Sequence, residues 1–180
     1  MKKLLLMGLI LASSFASFAQ EADTIKKAIQ KDAESIGHGG VNELKFNLLY
    51  AIIGMPEITY ERLITDNMGV GVSLLVGVDE SAEYQFGLTP HFRIYFGSQK
   101  ANGFFIEGSS SVITHRDYDD DYKFRSVDRT NFGLGAAGGR KFLTRNGFLG
   151  EVSFGIGRYI GNHNGEQAYF RGGLTLGKRF

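Results

Sequence analysis

One acidic segment has residue types and spacing that suggest a calcium site. Asp117, Asp119 and Asp121 occupy alternate positions, and Asp128 stands where an EF-hand loop carries its last ligand. Tyr122, however, stands where such a loop requires glycine. The sequence therefore predicts a solvated acidic loop rather than a calcium site, and we expect no metal ligands.

The same segment interleaves aromatic rings with the acidic side chains. Exposed aromatic residues can anchor contacts with a partner. We therefore expect the connection between His115 and Arg129 to be a surface-contact loop for an extracellular ligand that the sequence does not name. Its candidate contact residues are Asp117, Tyr118, Asp119, Asp120, Asp121, Tyr122 and Phe124.

Two other motifs suggest enzyme chemistry but lack the elements that such chemistry needs. Gly133–Gly138 matches G-x-G-x-x-G, yet a dinucleotide site needs a helix next, and here a strand pattern continues. Serines 109–111 lead towards His115, while His91 and His163 lie elsewhere, and nothing fixes a nucleophile, a base and an orienting group in one place. We expect no catalytic residues and no cofactor.

The composition excludes several classes of protein. Cysteine is absent, which excludes disulfides, thiolate metal sites and thiol nucleophiles. Lys plus Arg is 20 and Asp plus Glu is 19, so there is no basic field for nucleic acid. With 25 glycines, 15 phenylalanines and only 2 prolines, the chain favours β-structure.

The N-terminal residues differ from the rest. Lys2 and Lys3 precede the apolar run 4–12, and small residues at Ser17 and Ala19 form a cleavage site, so residues 1–19 are predicted to be a secretory signal peptide. Residues 20–41 have apolar side chains at helical spacing and are predicted to be a periplasmic leader or short helix. The remainder, 42–180, is predicted to form one domain.

From Asn42 onward the hydrophobic period is two, which predicts eight strands with one bulky apolar face and one small or polar face. Compact turns, such as 65–67 and 144–147, alternate with longer connections, such as 115–129. Short turns at one end and longer loops at the other are typical of outer-membrane barrels. The fold class predicted is an all-β, eight-stranded antiparallel up-and-down transmembrane barrel.

The composition of the small face indicates which side of the sheet points inward. It carries many glycines, which suit a narrow barrel interior. The apolar face has aromatic residues near its ends, as an interfacial girdle requires. The predicted girdle residues are Tyr50, Tyr60, Phe96, Phe104, Phe132, Phe148 and Phe180.

The last strand resembles the C-terminal signature of bacterial outer-membrane β-barrels. In that family a terminal aromatic and alternating apolar residues are read by the barrel-assembly machinery, and here these are Phe170, Leu174, Leu176 and Phe180. Lys178 and Gly172 depart from the pattern. Over residues 42–180 the chain is similar to small OmpA/OmpX-type barrels, which implies a monomer in the bacterial outer membrane, surrounded by lipid.

The small face also gathers charges in a narrow lumen. Charges removed from water must pair, and an eight-stranded barrel is just wide enough for side chains to fill it. We therefore expect an interior network of salt bridges that plugs the barrel. The predicted network residues are Lys45, Glu61, Arg93, Glu107, Lys141, Glu151 and Arg179.

These patterns favour a non-enzymatic outer-membrane barrel with a structural or surface-interaction role. Its partners would be outer-membrane lipid, the assembly machinery and an extracellular ligand, with no nucleic acid. The alternatives are a small-solute pore, then a lipid-modifying outer-membrane enzyme, then a soluble lipocalin-like carrier whose apolar face points inward.

Overall fold

In a computed structural model, the chain forms a closed β-barrel of eight antiparallel strands in sequence order. The structure describes residues 39–78, 84–118, 126–160 and 168–180, with 116–118 and 126–128 described by their backbone alone. The first strand pairs with the last over Glu43–Asn47 and Thr175–Arg179, which closes the sheet into a barrel. The predicted up-and-down eight-stranded barrel is confirmed.

The strands differ widely in length. They are β1 (Asn42–Asn47), β2 (Glu57–Thr65), β3 (Met68–Val76), β4 (Tyr84–Tyr95), β5 (Gly103–Tyr118), β6 (Ser126–Leu143), β7 (Phe148–Ile160) and β8 (Ala168–Arg179), and a short helix, α1 (Leu48–Ile52), follows β1. Among the described residues, no helix is long and apolar enough to cross a membrane.

Alternation along each strand separates two chemical environments. Outward positions carry large apolar side chains that stay substantially exposed, such as Val72, Phe92 and Phe154. Inward positions carry glycines and charged residues, such as Lys45 and Glu61, which are almost completely buried. Because successive strand residues point to opposite faces, the period of two produces this separation directly. A lipocalin-like carrier needs the opposite arrangement, with the apolar face inside.

The strand pattern fails at two places near the loop end. The alternation predicts that β1 continues through Tyr50, with that ring in the outer girdle, but β1 ends at Asn47 and α1 follows. Tyr50 is instead buried inside the barrel, where its hydroxyl donates to the carbonyl of Phe170. Tyr84 also points inward, because a register shift separates it from Phe86.

The predicted loop 115–129 is shorter than expected. β5 and β6 pair up to Tyr118 and Ser126, so Asp117 and Tyr118 are strand residues and Asp128 lies opposite Arg116. A calcium loop framed by Asp117 and Asp128 cannot form across a paired hairpin. Asp119, Asp120, Asp121, Tyr122 and Phe124 lie outside the described residues.

The predictions for the N-terminus also lie outside the described residues, namely the signal peptide 1–19 and nearly all of the leader 20–41. The glycine motif 133–138 lies inside β6, so no helix follows it and no phosphate site forms there. Its glycines are part of the barrel wall.

Candidate functional site: a charged network inside the barrel

Within the described part of the chain, ten charged side chains from seven of the strands form one continuous ion-pair network in the barrel interior. The network residues are Glu43 and Lys45 of β1, Glu57 and Glu61 of β2, Arg93 of β4, Glu107 of β5, Lys141 of β6, Glu151 of β7, and Arg171 and Arg179 of β8.

The Lys45 ammonium group lies at the centre, among three carboxylates. Its Nζ is 2.6 Å from Glu61 Oε2, 2.7 Å from Glu151 Oε1 and 3.0 Å from Glu43 Oε2. Lys45 is only 2% exposed, and Glu43 and Glu61 are not exposed at all. Hydrogen-bonded ion pairs of this kind are required wherever charges are withdrawn from water.

Lys141 provides a second ammonium group to the same three carboxylates. Its Nζ is 2.6 Å from Glu43 Oε2 and 3.2 Å from Glu151 Oε1, and it donates to the Tyr95 hydroxyl at 2.5 Å. The Tyr95 hydroxyl donates in turn to Glu61. Glu43, Glu61 and Glu151 have the spacing of a metal-binding group, but the two ammonium groups lie where a cation would.

Arg93 extends the network towards the loop end. Its Nη1 contacts Glu61 and Glu151 at 3.1 and 2.9 Å, while its Nε donates to Glu107 at 2.6 Å. The other oxygen of Glu107 accepts from Arg171 Nε at 2.6 Å. Arg171 also lies 3.7 Å from Glu57, the last carboxylate of the series.

Arg179 connects the network to the turn end. Its Nε and Nη2 donate to Glu43 Oε1 at 2.9 and 2.6 Å. The same guanidinium donates to the carbonyls of Lys100 and Ala101, in the turn between β4 and β5, at 2.9 and 2.8 Å. Ala101 is completely buried, with a left-handed φ of 40°. These hydrogen bonds hold the turn against the charged layer, on its turn-end side.

The charges of the network balance. Five cations, Lys45, Arg93, Lys141, Arg171 and Arg179, face five carboxylates, Glu43, Glu57, Glu61, Glu107 and Glu151. His91 lies beside it, with Nε2 3.9 Å from Glu61. Balance matters because an unpaired buried charge is far more costly than a paired one.

β3 contributes space instead of charge. A Cβ on Gly69 would lie 3.1 Å from Cδ of Glu61, and one on Gly71 would lie 2.5 Å from Nε2 of His91. Both contacts are closer than van der Waals packing allows. A side chain at either glycine would therefore displace Glu61 or His91 from its position beside β3.

Above the charged layer, towards the loop end, the interior is lined by aromatic and aliphatic residues. Two interior cavities, one among the tyrosines and one among the charges, each offer about 20 Å³. That is room for roughly one water molecule each. The residues of this upper cluster are Tyr50, Met55, Leu75, Tyr84, Ile113, Tyr159 and Tyr169.

All seven residues of the predicted network lie inside the barrel and belong to it. Sequence reasoning missed Glu43, Glu57 and Arg171, as well as the hydroxyl of Tyr95. Arg171 could have been predicted as a network residue, because it follows the outward Phe170 and therefore lies on the small face of β8. Glu43 and Glu57 are the second and first residues of their strands, where an alternating pattern is weakest.

The other predicted residues lie apart from the network. Phe170, Leu174, Leu176 and Phe180 point outward from β8 and are 40–59% exposed. The backbone of Phe180 exchanges hydrogen bonds with Asn42 and prolongs the pairing of β8 with β1. Lys178 is exposed on the outer wall, with its Nζ 5.4 Å from the ring centroid of Phe148.

The histidines and serines of the enzyme alternative do not assemble into a triad among the described residues. His115 Nε2 is 3.1 Å from the amide of Asn131, and its ring packs against Tyr159. Ser111 is completely buried and bonds to Thr89 and Tyr169. His163 lies outside the described part of the chain.

Comparison with known proteins identifies the class of fold. No family model matches the chain, and no curated protein matches it in sequence. The structure is similar to the crystal structure of the N-terminal β-barrel domain of Pseudomonas aeruginosa OprF, with a TM-score of 0.56. The similarity covers 77% of this chain and 95% of that one, at 13% identity. The two structures therefore share the fold of a closed eight-stranded β-barrel, which is the fold that the predicted resemblance implies.

Proposed function

We propose that this protein is an integral outer-membrane barrel with a plugged lumen and a non-enzymatic, structural or surface-interaction role. The observation that carries this proposal is the polarity of the barrel, with its apolar face outside and a balanced ion network inside. Such an exterior is unfavourable in water and favourable in hydrocarbon, while the reverse holds for the interior.

The charges on the outer wall support a bilayer around it. Among the outward strand residues whose side chains the structure describes, the charged ones are all cations near strand ends, where a long side chain can reach the headgroups. Arg140 and Lys178 stack on the rings of Phe142 and Phe148, at 5.0 and 5.4 Å from the ring centroids. The four cations are Arg62, Arg140, Arg158 and Lys178.

The network supports a closed lumen. It runs from Arg179 at the turn end to Glu57 near the loop end, and two cavities among the described interior residues each have room for about one water molecule. Solutes would have to break several charge-assisted hydrogen bonds to pass. We expect the barrel to display its loops on a rigid frame rather than to conduct.

Conductance across a planar bilayer tests the plug. Purified protein should produce no steady conductance on the nanosiemens scale after insertion. A shift in gel mobility between unheated and boiled samples, recovered from the same membranes, verifies that a folded barrel was present. Steady open-channel currents from such a preparation would favour the pore and contradict the plug.

Fractionation tests the location. The protein should remain with the outer membrane after a carbonate wash, with its signal peptide removed. Release by carbonate would contradict the membrane proposal. An unchanged lipid profile, by mass spectrometry of lipid A and phospholipids from cells with and without the gene, supports the non-enzymatic role, whereas a gene-dependent change in either would contradict it.

Recognition by the assembly machinery is the second part of the proposal. Phe180→Ala should lower the fraction of barrel that reaches the heat-modifiable folded form in cells. Phe96→Ala is the matched control, since Phe96 is also an exposed aromatic at the turn end, at 62% against 59% for Phe180. Equal effects of the two substitutions would contradict a specific signal in β8.

A further inference from the structure

The wall of the barrel has a notch above β1. β1 has six residues, whereas β8 has twelve and β6 has eighteen. β8 pairs with β1 only from Thr175 to Arg179, so its residues 168–174 have no strand partner on that side. The notch is the space between residues 168–174 of β8 and the segment 54–56.

The strand β1 is too short to span a bilayer. At ~3.4 Å per residue and a tilt of ~45°, its six residues rise ~14 Å. The apolar band of an outer-membrane barrel is ~25 Å tall. Something other than β1 must therefore complete the wall on this side.

The helix α1 fills the notch. It packs against β8, and the Tyr50 hydroxyl donates to the carbonyl of Phe170 at 3.1 Å. The Asn47 amide, at the end of β1, donates to the carbonyl of Gly172 at 3.1 Å and accepts from the backbone of Tyr50. Gly173 is required here, because a side chain on it would occupy the position of the Asn47 amide.

The backbone on the other side of the notch is also bonded. The amides of Gly54 and Met55 donate to Ala51 and Tyr50, at 3.2 and 2.9 Å. The carbonyls of Gly54 and Pro56 accept from Val78 and Val76, at 2.9 and 3.1 Å. Hydrocarbon tolerates a non-strand segment only where its backbone groups are satisfied in this way.

The outward side chains of α1 and of Ile53, which follows it, continue the apolar wall. Leu49, Ile52 and Ile53 are 43%, 83% and 53% exposed, and none carries a polar group. They follow Leu44 and Phe46, the outward residues of β1. In a loop projecting into water, this exposure would be unfavourable by about 25 cal/mol for each Å².

We propose that α1 and its C-cap residue Ile53 are a membrane-embedded part of the wall, with Leu49, Ile52 and Ile53 in contact with the acyl chains of the leaflet at the loop end. The inference rests on the proposed outer-membrane location. It places the connection between β1 and β2, which contains α1, in the lipid rather than among the loops that are displayed in water.

The absence of tryptophan from the chain makes a clean test available. Three single-tryptophan variants of the full-length protein, Ile52→Trp, Phe154→Trp and Asp66→Trp, are inserted into phosphatidylcholine vesicles. Phe154 marks the middle of the wall, and Asp66 marks an exposed turn. Emission is measured with brominated acyl chains and, separately, with aqueous iodide.

The expected result is that the Ile52→Trp variant behaves like the Phe154→Trp variant, losing about half or more of its emission to brominated lipid and little to iodide. If iodide quenches Ile52→Trp as strongly as Asp66→Trp while lipid quenches Phe154→Trp, the proposal for α1 alone is overturned. Iodide quenching of Phe154→Trp would overturn the proposed location itself. An equivalent Ile53→Trp variant guards against a local effect at position 52.

Discussion

The two faces of the same strands obey different rules. In the proposed membrane location, Val72, Phe92 and Phe154 on the outer wall need only be apolar, because hydrocarbon solvates any apolar shape. In the interior, Lys45 must meet three particular carboxylates at hydrogen-bond distance. We therefore expect the wall to tolerate apolar substitutions but not charged ones. In the interior, we expect neither the replacement nor the removal of a charged side chain to be tolerated.

Removal of the central cation should have the largest effect. Lys45→Met leaves Glu43, Glu61 and Glu151 with one ammonium group fewer, and breaking a buried pair typically costs about 3–5 kcal/mol. The free energy of unfolding, from guanidinium titration in vesicles, should fall by that amount. Arg145→Met, which removes an exposed turn cation, is the control and should change it by less than about 0.5 kcal/mol.

A second substitution sharpens this prediction. Glu151→Gln removes one of the carboxylates that Lys45 would have balanced, so in the Lys45→Met background it should restore about 1–3 kcal/mol. The same substitution alone should destabilise the barrel. Strictly additive losses would contradict a network in which these two side chains are coupled.

A charge introduced on the outer wall should cause the next largest loss in the free energy of unfolding. Phe154→Arg places a guanidinium in the middle of the apolar band, at a cost of about 2–4 kcal/mol in a bilayer. Ile160→Arg, at the end of the same strand, should cost about 0–1 kcal/mol. Equal costs at the two positions would show that the wall lacks the depth profile of a membrane.

A substitution at Asn47, where β1 meets α1, should lower the free energy of unfolding by a smaller amount. Asn47→Ala removes the α1 cap and the hydrogen bonds to Gly172 and Glu57, and we expect a loss of about 2 kcal/mol. Asn146→Ala, in an exposed turn, serves as the control. A stability equal to the control would contradict the role of Asn47 in closing the notch.

The smallest change in the free energy of unfolding is expected for Lys178, on the outer wall near the turn end. Lys178→Gln removes the cation that stacks on Phe148, an interaction worth about 0.5 kcal/mol at an exposed site. Unfolding in vesicles should register a change of that size. A loss above about 2 kcal/mol would place Lys178 in the interior network instead of at the headgroups.

The barrel itself could be predicted from sequence because the period of two encodes both the strands and their faces. The pairing within the lumen could not, because which cation meets which carboxylate depends on the stagger of strands far apart in sequence, as for Lys45 and Glu151. α1 was missed because Leu48 and Tyr50 continue the alternation of β1. The helix-capping residue Asn47 was the available signal against a continuing strand.

The central claim is that lipid surrounds the apolar face, and collision accessibility of nitroxide labels tests it most directly. Cysteine substitutions at Val72, Phe92 and Phe154 can be labelled one at a time, since the chain has no other cysteine. In vesicles, molecular oxygen should collide with all three labels more often than a water-soluble nickel complex does. Dominant collisions with the nickel complex at these positions would contradict the claim.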